Sequence, residues 1–344
     1  MLQMALGGRS PRVIGVIALL LTTTAVWSVR ALEIQVLRST GGMAPEVVGL
    51  FREPAACQTL ADGSHLVFDR AGHRVYQVPA SGSEAIELVR IGPEAGKIIG
   101  PSAFALANDS FIVADAPRQR ERVQIFGLDG GLLSSFTVPG RATARVTQGR
   151  LTLNGVSSLR WTGHSIVMSQ PETGGVMTEF TPSGRPIRTI GQLRETGHED
   201  DRDLHLALNS GLPLADPTGG FYFVFHAGLP LFRKYDDDGR FLFERHIQGP
   251  ELDGTIQNLP TAWPRRTNGL GLPIVPPTVR TAEVDPAGNL WVSLWLPFTY
   301  VYDSHGDKTR TIQFRGAGLL SPDNLFFENG DRLLVAPGCY RFSV

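Results

Sequence analysis

Short apolar runs of strand length alternate with polar turns along most of the chain. Leu60–Asp69 reads Leu-Ala-Asp-Gly-Ser-His-Leu-Val-Phe-Asp, and Leu106–Asp115 reads Leu-Ala-Asn-Asp-Ser-Phe-Ile-Val-Ala-Asp. Each is a strand end, a tight Asx or Gly turn, and an apolar strand closing on Asp. Each continues through a turn into a second strand, Arg74–Val78 in one case and Arg122–Phe126 in the other. Further turns at Ser81-Gly82 and Asp129-Gly130-Gly131 lead into strands of mixed apolar and polar residues. Four short strands per unit, repeated, is the pattern of a β-propeller blade.

Four more units follow. Ser165–Ser169, Gly175–Phe180 and Ile187–Ile190 make a third, and Phe221–Phe225, Leu231–Tyr235 and Phe241–Arg245 a fourth. Asn289–Ser293, Thr299–Tyr302 and Thr309–Ile312 make a fifth; Asn324–Gly330, Arg332–Ala336 and Cys339–Val344 a sixth that lacks one strand. A strand-like run at Glu33–Arg38 resembles Ala85–Arg90, the outer strand of the first unit, but has no unit before it. The expectation is an all-β, six-bladed propeller over residues 32–344, closed by Glu33–Arg38 pairing with Cys339–Val344 in the last blade. Such pairing would remove an exposed sheet edge. In this reading the aromatics Phe221, Tyr222, Phe223, Phe225, Phe241 and Phe243 are core, and the Asp236–Gly239 and Asp303–Gly306 runs are hairpin turns.

Two of these units carry a family resemblance. Val67-Phe68-Asp69 through His73-Arg74-Val75, and Val113-Ala114-Asp115 through Arg122–Phe126, resemble the NHL repeat of β-propellers. The resemblance implies a propeller, and a role for the Asp in pairing with Arg74 or Arg122 or in capping the turn. It does not imply a particular function.

Composition changes the picture only at the start of the chain. The formal charge of −1 gives no sign of a nucleic-acid partner. Residues 1–31 hold no acidic side chain but carry Arg9, Arg12 and Arg30 around an apolar run from Val13 to Trp27, the layout of a secretory signal peptide. Cleavage would leave 29 basic against 33 acidic residues. An uncleaved anchor is the competing reading, against which the run is interrupted by Thr22-Thr23-Thr24 and is shorter than the roughly 20 residues a spanning helix needs. The expectation is therefore a periplasmic or extracellular protein without a stable membrane span. Its two cysteines, Cys57 and Cys339, are either one disulfide or two buried thiols.

Candidate chemistry sits in two connections longer than hairpins need. Gly191–His205 carries His198, Glu199, Asp200, Asp201, Asp203 and His205; Gln248–Thr278 carries Trp263, Arg265 and Arg266. Both join one blade to the next, so both should emerge on one face beside the central channel, where binding usually resides. His198, His205, Trp263, Arg265 and Arg266 are the candidate ligand-binding residues, for a protein or small-molecule ligand. No nucleophile elbow, zinc-binding HExxH or Ser/His/Asp signature is present, so no catalytic residue is named. The leading expectation is a non-catalytic binding or assembly propeller of the cell envelope, without a cofactor. The alternative is a metal-dependent hydrolase or lyase resembling gluconolactonase-type or amidating-lyase-type propellers, using a divalent ion such as calcium. At the ends of the second strands the residues are Asp69, Asp115, Ser169, His226, Leu294 and Pro337, of which Asp69, Asp115 and His226 could ligate such an ion.

Overall fold

The Asx and Gly turns close hairpins as the pattern requires. Asp236 Oδ1 accepts from Arg240 N at 2.8 Å, and Asp303 Oδ1 accepts from His305 N and Asp307 N at 2.9 and 3.0 Å. Gly239 and Gly306 take the left-handed backbone of these turns, with φ of 79° and 82°. The carboxylates are thus spent on backbone amides, as expected of turns.

The computed structural model describes residues 33–344 except Ser83, 139–144, 149–150, 155–157 and 268–270. The expected signal peptide, residues 1–31, lies outside the described residues. Strand β1 (Ile34–Arg38) and the short helix α1 (Pro45–Val48) precede blade one: β2 (Pro54–Thr59), β3 (His65–Asp69), β4 (Arg74–Val78) and β5 (Ile86–Val89). Blade two is β6 (Ala103–Leu106), β7 (Ser110–Asp115), β8 (Arg122–Gly127) and β9 (Leu132–Thr137). A separate hairpin follows, β10 (Arg145–Gln148) and β11 (Leu151–Asn154), which no repeat unit accounts for. Blade three is β12 (Leu159–Trp161), β13 (Ile166–Ser169), β14 (Gly175–Phe180) and β15 (Pro186–Gln192). After helix α2 (Arg202–Leu208) comes blade four: β16 (Gly211–Ala215), β17 (Phe221–Phe225), β18 (Leu231–Tyr235) and β19 (Phe241–His246). Helix α3 (Pro250–Gln257) precedes blade five: β20 (Val279–Val284), β21 (Leu290–Leu294), β22 (Thr299–Tyr302) and β23 (Lys308–Arg315), with β24 (Leu319–Leu320) against β23. Blade six is β25 (Asn324–Phe327), β26 (Arg332–Ala336) and β27 (Tyr340–Ser343).

The six sheets form a ring, a six-bladed β-propeller whose core lies between the blades. Trp291, Val301, Ile312 and Phe314 of blade five interlock with Leu325, Leu333, Val335 and Phe342 of blade six. Tyr222, Val224 and Phe232 of blade four meet Ala282, Val292 and Tyr300 of blade five. One aromatic expectation fails. Phe221, Tyr222, Phe223 and Phe225 are buried, but Phe241 is 57% exposed and Phe243 half-buried. They belong to β19, the outermost strand, which has no neighbour beyond it.

The strand expected at 33–38 forms, but its main partner differs. β1 pairs in parallel with β23 of blade five, Ile34 opposite Thr311 through Arg38 opposite Arg315, and not with residues 339–344. The long outer edge of β23 accommodates all five residues of β1, and Leu37 is buried in the core between blades five and six. Backbone pairing with blade six begins only in the residues that follow. Thr40 N donates to Arg341 O at 2.8 Å, and Arg341 N donates to Gly41 O at 2.9 Å. The N-terminal segment therefore ties blades five and six before it enters blade one, and blade six keeps three strands. The first and last blades also meet directly, β2 packing on β25 and β26. A Cys57–Cys339 disulfide, with Cα atoms 5.7 Å apart, joins them covalently.

Candidate functional site

The two long connections fold against each other. In the first, Asp201 caps α2, its Oδ1 accepting from Leu204 N at 3.3 Å. The apolar side of α2 (Leu204, Ala207, Leu208) packs on Ala227, Val275 and the half-buried Trp263. Trp263 is thus an anchor that holds the second connection onto the first. The other Asp201 oxygen, Oδ2, pairs with Arg265, whose Nη1 also donates to Gly271 O at 2.7 Å. Arg265 holds the Asp201 carboxyl below its ordinary range, and Asp201 in turn raises the guanidinium.

Arg194 locks the base of this assembly. Its Nε and Nη2 donate to Leu208 O at 3.1 and 2.6 Å, Nη2 also to Ala227 O at 2.6 Å, and Nη1 to Leu229 O at 2.9 Å. Its guanidinium carbon lies 4.3 Å from the centre of the Phe225 ring. Burial, with Arg233 nearby, lowers its pKa to about 10, so it is still charged at neutral pH.

The remaining candidates divide by what they touch. His205 Nδ1 lies 2.8 Å from Thr196 Oγ1 and 3.7 Å from Glu199 Oε1, within its own loop. His198 accepts the Asp201 N–H at its backbone carbonyl, closing the turn before α2. Arg266 N bonds to Leu272 O at 3.0 Å, while its half-buried guanidinium has no partner among the described residues. The structure therefore joins Asp201, Arg265 and Trp263 into one unit, and leaves Arg266 available to a ligand.

Beside this unit is a cleft of about 320 Å³ lined by Gly254, Thr255, Asn258, Leu259, Pro260, Pro276, Pro277 and Thr278. Its volume is at the lower end for ligand pockets. Helix α3 forms one wall and the Pro276–Thr278 segment the other. A Cβ on Gly254 would meet nothing within 4 Å. Sequence reading missed both the helix and the cleft, although Pro250 opening a run with Glu251 and Asp253 is a helix-start signal.

The candidate metal residues lie on the same face, each engaged locally. Asp69 Oδ1 accepts from Glu53 N and Gly72 N at 2.8 and 3.0 Å, and Oδ2 from Arg52 N at 3.0 Å. Asp115 accepts Arg122 Nε and Nη2 at 2.9 and 2.6 Å and Ile99 N at 3.1 Å; burial raises its pKa, which the Arg122 bonds oppose. The Arg partner implied by the resemblance is thus present for Asp115, while Arg74 bonds Glu87 instead of Asp69. His226 is buried with Nδ1 3.3 Å from Val279 O, and burial lowers its pKa to about 4, keeping it neutral. Among the described residues no three His, Cys, Asp or Glu side chains gather as a metal site. Lower in the channel, Arg160 of β12 reaches across blade four to Glu283 of β20 at 2.6 Å. In the turn between β13 and β14, the Glu172 carboxyl is pushed up to about 7 by burial, with Arg202 nearby partly offsetting the shift.

No family model and no curated protein matches the chain. Solved structures do resemble it. A streptogramin B lyase aligns at 10% identity and a TM-score of 0.50, over 83% of this chain and 76% of that one. A catalytically inactive virginiamycin B lyase from Staphylococcus aureus with quinupristin aligns at 11% and 0.50, over 83% and 78%. A gluconolactonase from Xanthomonas campestris aligns at 16% and 0.48, over 83% of each. At such identities the likeness to the two lyases establishes the propeller fold and leaves the chemistry to be argued from this chain's own residues.

Proposed function

We propose that this chain is an exported, NHL-type propeller that binds a partner protein through the face built by residues 191–210 and 247–278, without catalysis of its own. The observation that carries the reading is the paired architecture of that face. Two connections are pinned together by Asp201–Arg265 and Trp263, Arg194 ties the first of them to the β17–β18 turn of blade four, and a preformed cleft with apolar walls at Leu259, Pro260, Pro276 and Pro277 stands open beside them. A cleft of this size suits an apolar anchor side chain of a partner, and the Arg266 guanidinium of the same connection can meet a carboxylate. The Cys57–Cys339 disulfide suits the oxidising compartment that the leader-like sequence of residues 1–31 points to.

The test is selection of a displayed random-peptide library on the purified protein, repeated on Gly254→Phe, which fills the cleft from a position with open space around its Cβ. Peptides sharing an apolar anchor, and lost on Gly254→Phe, are the expected result. No enrichment, or enrichment indifferent to that substitution, refutes the reading. Metal analysis with a thermal melt under chelation checks the hydrolase or lyase alternative. A bound divalent ion whose removal lowers the melting temperature would revive it.

A further inference from the structure

The walls of the α3 cleft are lopsided in the hydrogen bonds they can still make. Three of the eight lining residues, Pro260, Pro276 and Pro277, have no N–H to give. The other backbone N–H groups are spent inside the protein. Gly254 and Thr255 lie beyond the first turn of α3, where amides donate back along the helix. Asn258 N and Leu259 N both donate to Ile256 O, and Thr278 N donates to His226 O at 2.9 Å. The Thr278 hydroxyl is also engaged, donating to Gly228 O at 3.2 Å. The acceptors are in the opposite condition. Asn258 donates through Nδ2 to Gly254 O at 2.7 Å, but its Oδ1 accepts nothing among the described residues, nor do the carbonyls of Leu259, Pro260 and Pro277. On the donor side there remain one Asn258 amide hydrogen and the Thr255 hydroxyl, which also accepts.

Those walls select against charge. No lining residue carries a carboxylate or a cation, and Glu251 of α3 is taken up by the Tyr300 hydroxyl, from which it accepts. An anion would face carbonyl oxygens. An ammonium group would lie against Leu259 and three prolines with no counter-charge, at a large desolvation cost. A purely aliphatic side chain would dry the open acceptors and give them no donor in return. The complementary group is flat, apolar and uncharged, with one N–H and no acceptor of its own, which is the indole of tryptophan. Building on the reading of this cleft as a partner's anchor site, we infer that the anchor is a tryptophan side chain. Its rings lie against Pro260, Pro276 and Pro277, and its N–H is donated to an open acceptor of the wall.

The test is ligand-observed NMR titration of the purified protein with four small probes. They are N-acetyltryptophanamide, its benzothienylalanine counterpart, N-acetylleucinamide and N-acetyllysinamide. The benzothienyl ring keeps the shape of indole and lacks the N–H. Saturable binding of the tryptophan probe is expected, lost on Gly254→Phe in a protein whose thermal melt shows it folded. The benzothienyl probe should bind about three- to tenfold more weakly, the worth of one hydrogen bond, and the leucine and lysine probes more weakly still. Equal binding of the tryptophan and benzothienyl probes overturns the inference, as does a leucine or lysine probe that binds as tightly. Absence of saturation by every probe, or tryptophan binding that survives Gly254→Phe, overturns it as well. The outcomes separate this inference from the reading it rests on. A leucine probe that wins and is lost on Gly254→Phe removes the indole and keeps the apolar cleft, and so does enrichment of cleft-dependent library peptides that lack tryptophan.

Discussion

Replacing both cysteines, Cys57→Ala with Cys339→Ala, removes the covalent joint between the first and last blades. The joint spans a sequence separation of 282 residues, close to the whole described chain. In the chain-entropy relation, a loop of that length restricts the unfolded state by about 5–6 kcal/mol at 25 °C, beyond the upper end of what such bonds usually deliver. About 4–5 kcal/mol is therefore the realistic expectation. With an unfolding entropy typical for a propeller of this length, the loss corresponds to a fall in melting temperature of about 6–8 °C. Both sulfurs are buried, so the alanine variant also loses some packing. The wild-type protein, reduced in denaturant and refolded under reductant, isolates the cross-link because it keeps both sulfur atoms. Urea melts of the oxidised, reduced and double-alanine proteins measure the effect, and the two uncross-linked forms should also show larger m-values from a more expanded unfolded chain. Hydrogen exchange should rise first in β2 and β27, beside the missing joint. A reduced protein melting within a degree of the oxidised one would refute the reasoning.

Other perturbations probe other parts of the structure. Glu172 has a folded-state pKa near 7 against an ordinary 4.5, so folding takes up a proton between those values and stability falls as pH rises through that window. Glu172→Gln should therefore stabilise the protein by about 1–3 kcal/mol at pH 8 and have little effect at pH 4, as read by urea melts at the two pH values. Arg194→Met strips hydrogen bonds from Leu208 O, Ala227 O and Leu229 O and should cost about 3 kcal/mol or more, with exchange rising in residues 194–210; a neutral effect in a urea melt would contradict the clamp. Leu37→Ala should cost about 2–4 kcal/mol, whereas Ile34→Ala, on the same strand but 39% exposed, should cost under about 1 kcal/mol. Equal effects in thermal melts would deny that β1 buries its Leu37 between blades five and six. Deleting residues 33–38 should destabilise the protein more than either substitution.

The blades were legible because each hairpin carries its own local signal. Asp236-Asp-Asp-Gly239 or Asp303-Ser-His-Gly306 fixes a turn whatever lies around it, and β17 and β21, apolar or aromatic at every position but Ser293, read as interior strands. The partner of β1 was not legible. A repeat pattern shows that an unattached outer strand exists, but the choice between β23 and β27 depends on where Leu37 finds a core. Phe241 was misjudged for a similar reason, since apolar character does not reveal which strand of a blade is outermost. At the candidate face, sequence placed the two long connections together, and Asp201–Arg265 joins them. It could not show that Trp263 would be anchor rather than contact, that Arg194 would serve three carbonyls, or that α3 would leave a cleft. Those outcomes depend on tertiary neighbours far away in the chain.

The central claim is that the paired connections present a preformed binding cleft. The most direct measurement is hydrogen–deuterium exchange of the protein with and without a peptide selected on it. Protection concentrated in residues 250–260 and 276–278, and absent in Gly254→Phe, is the predicted result. Protection on the outer strands or on the opposite face, with residues 250–260 unchanged, would contradict it.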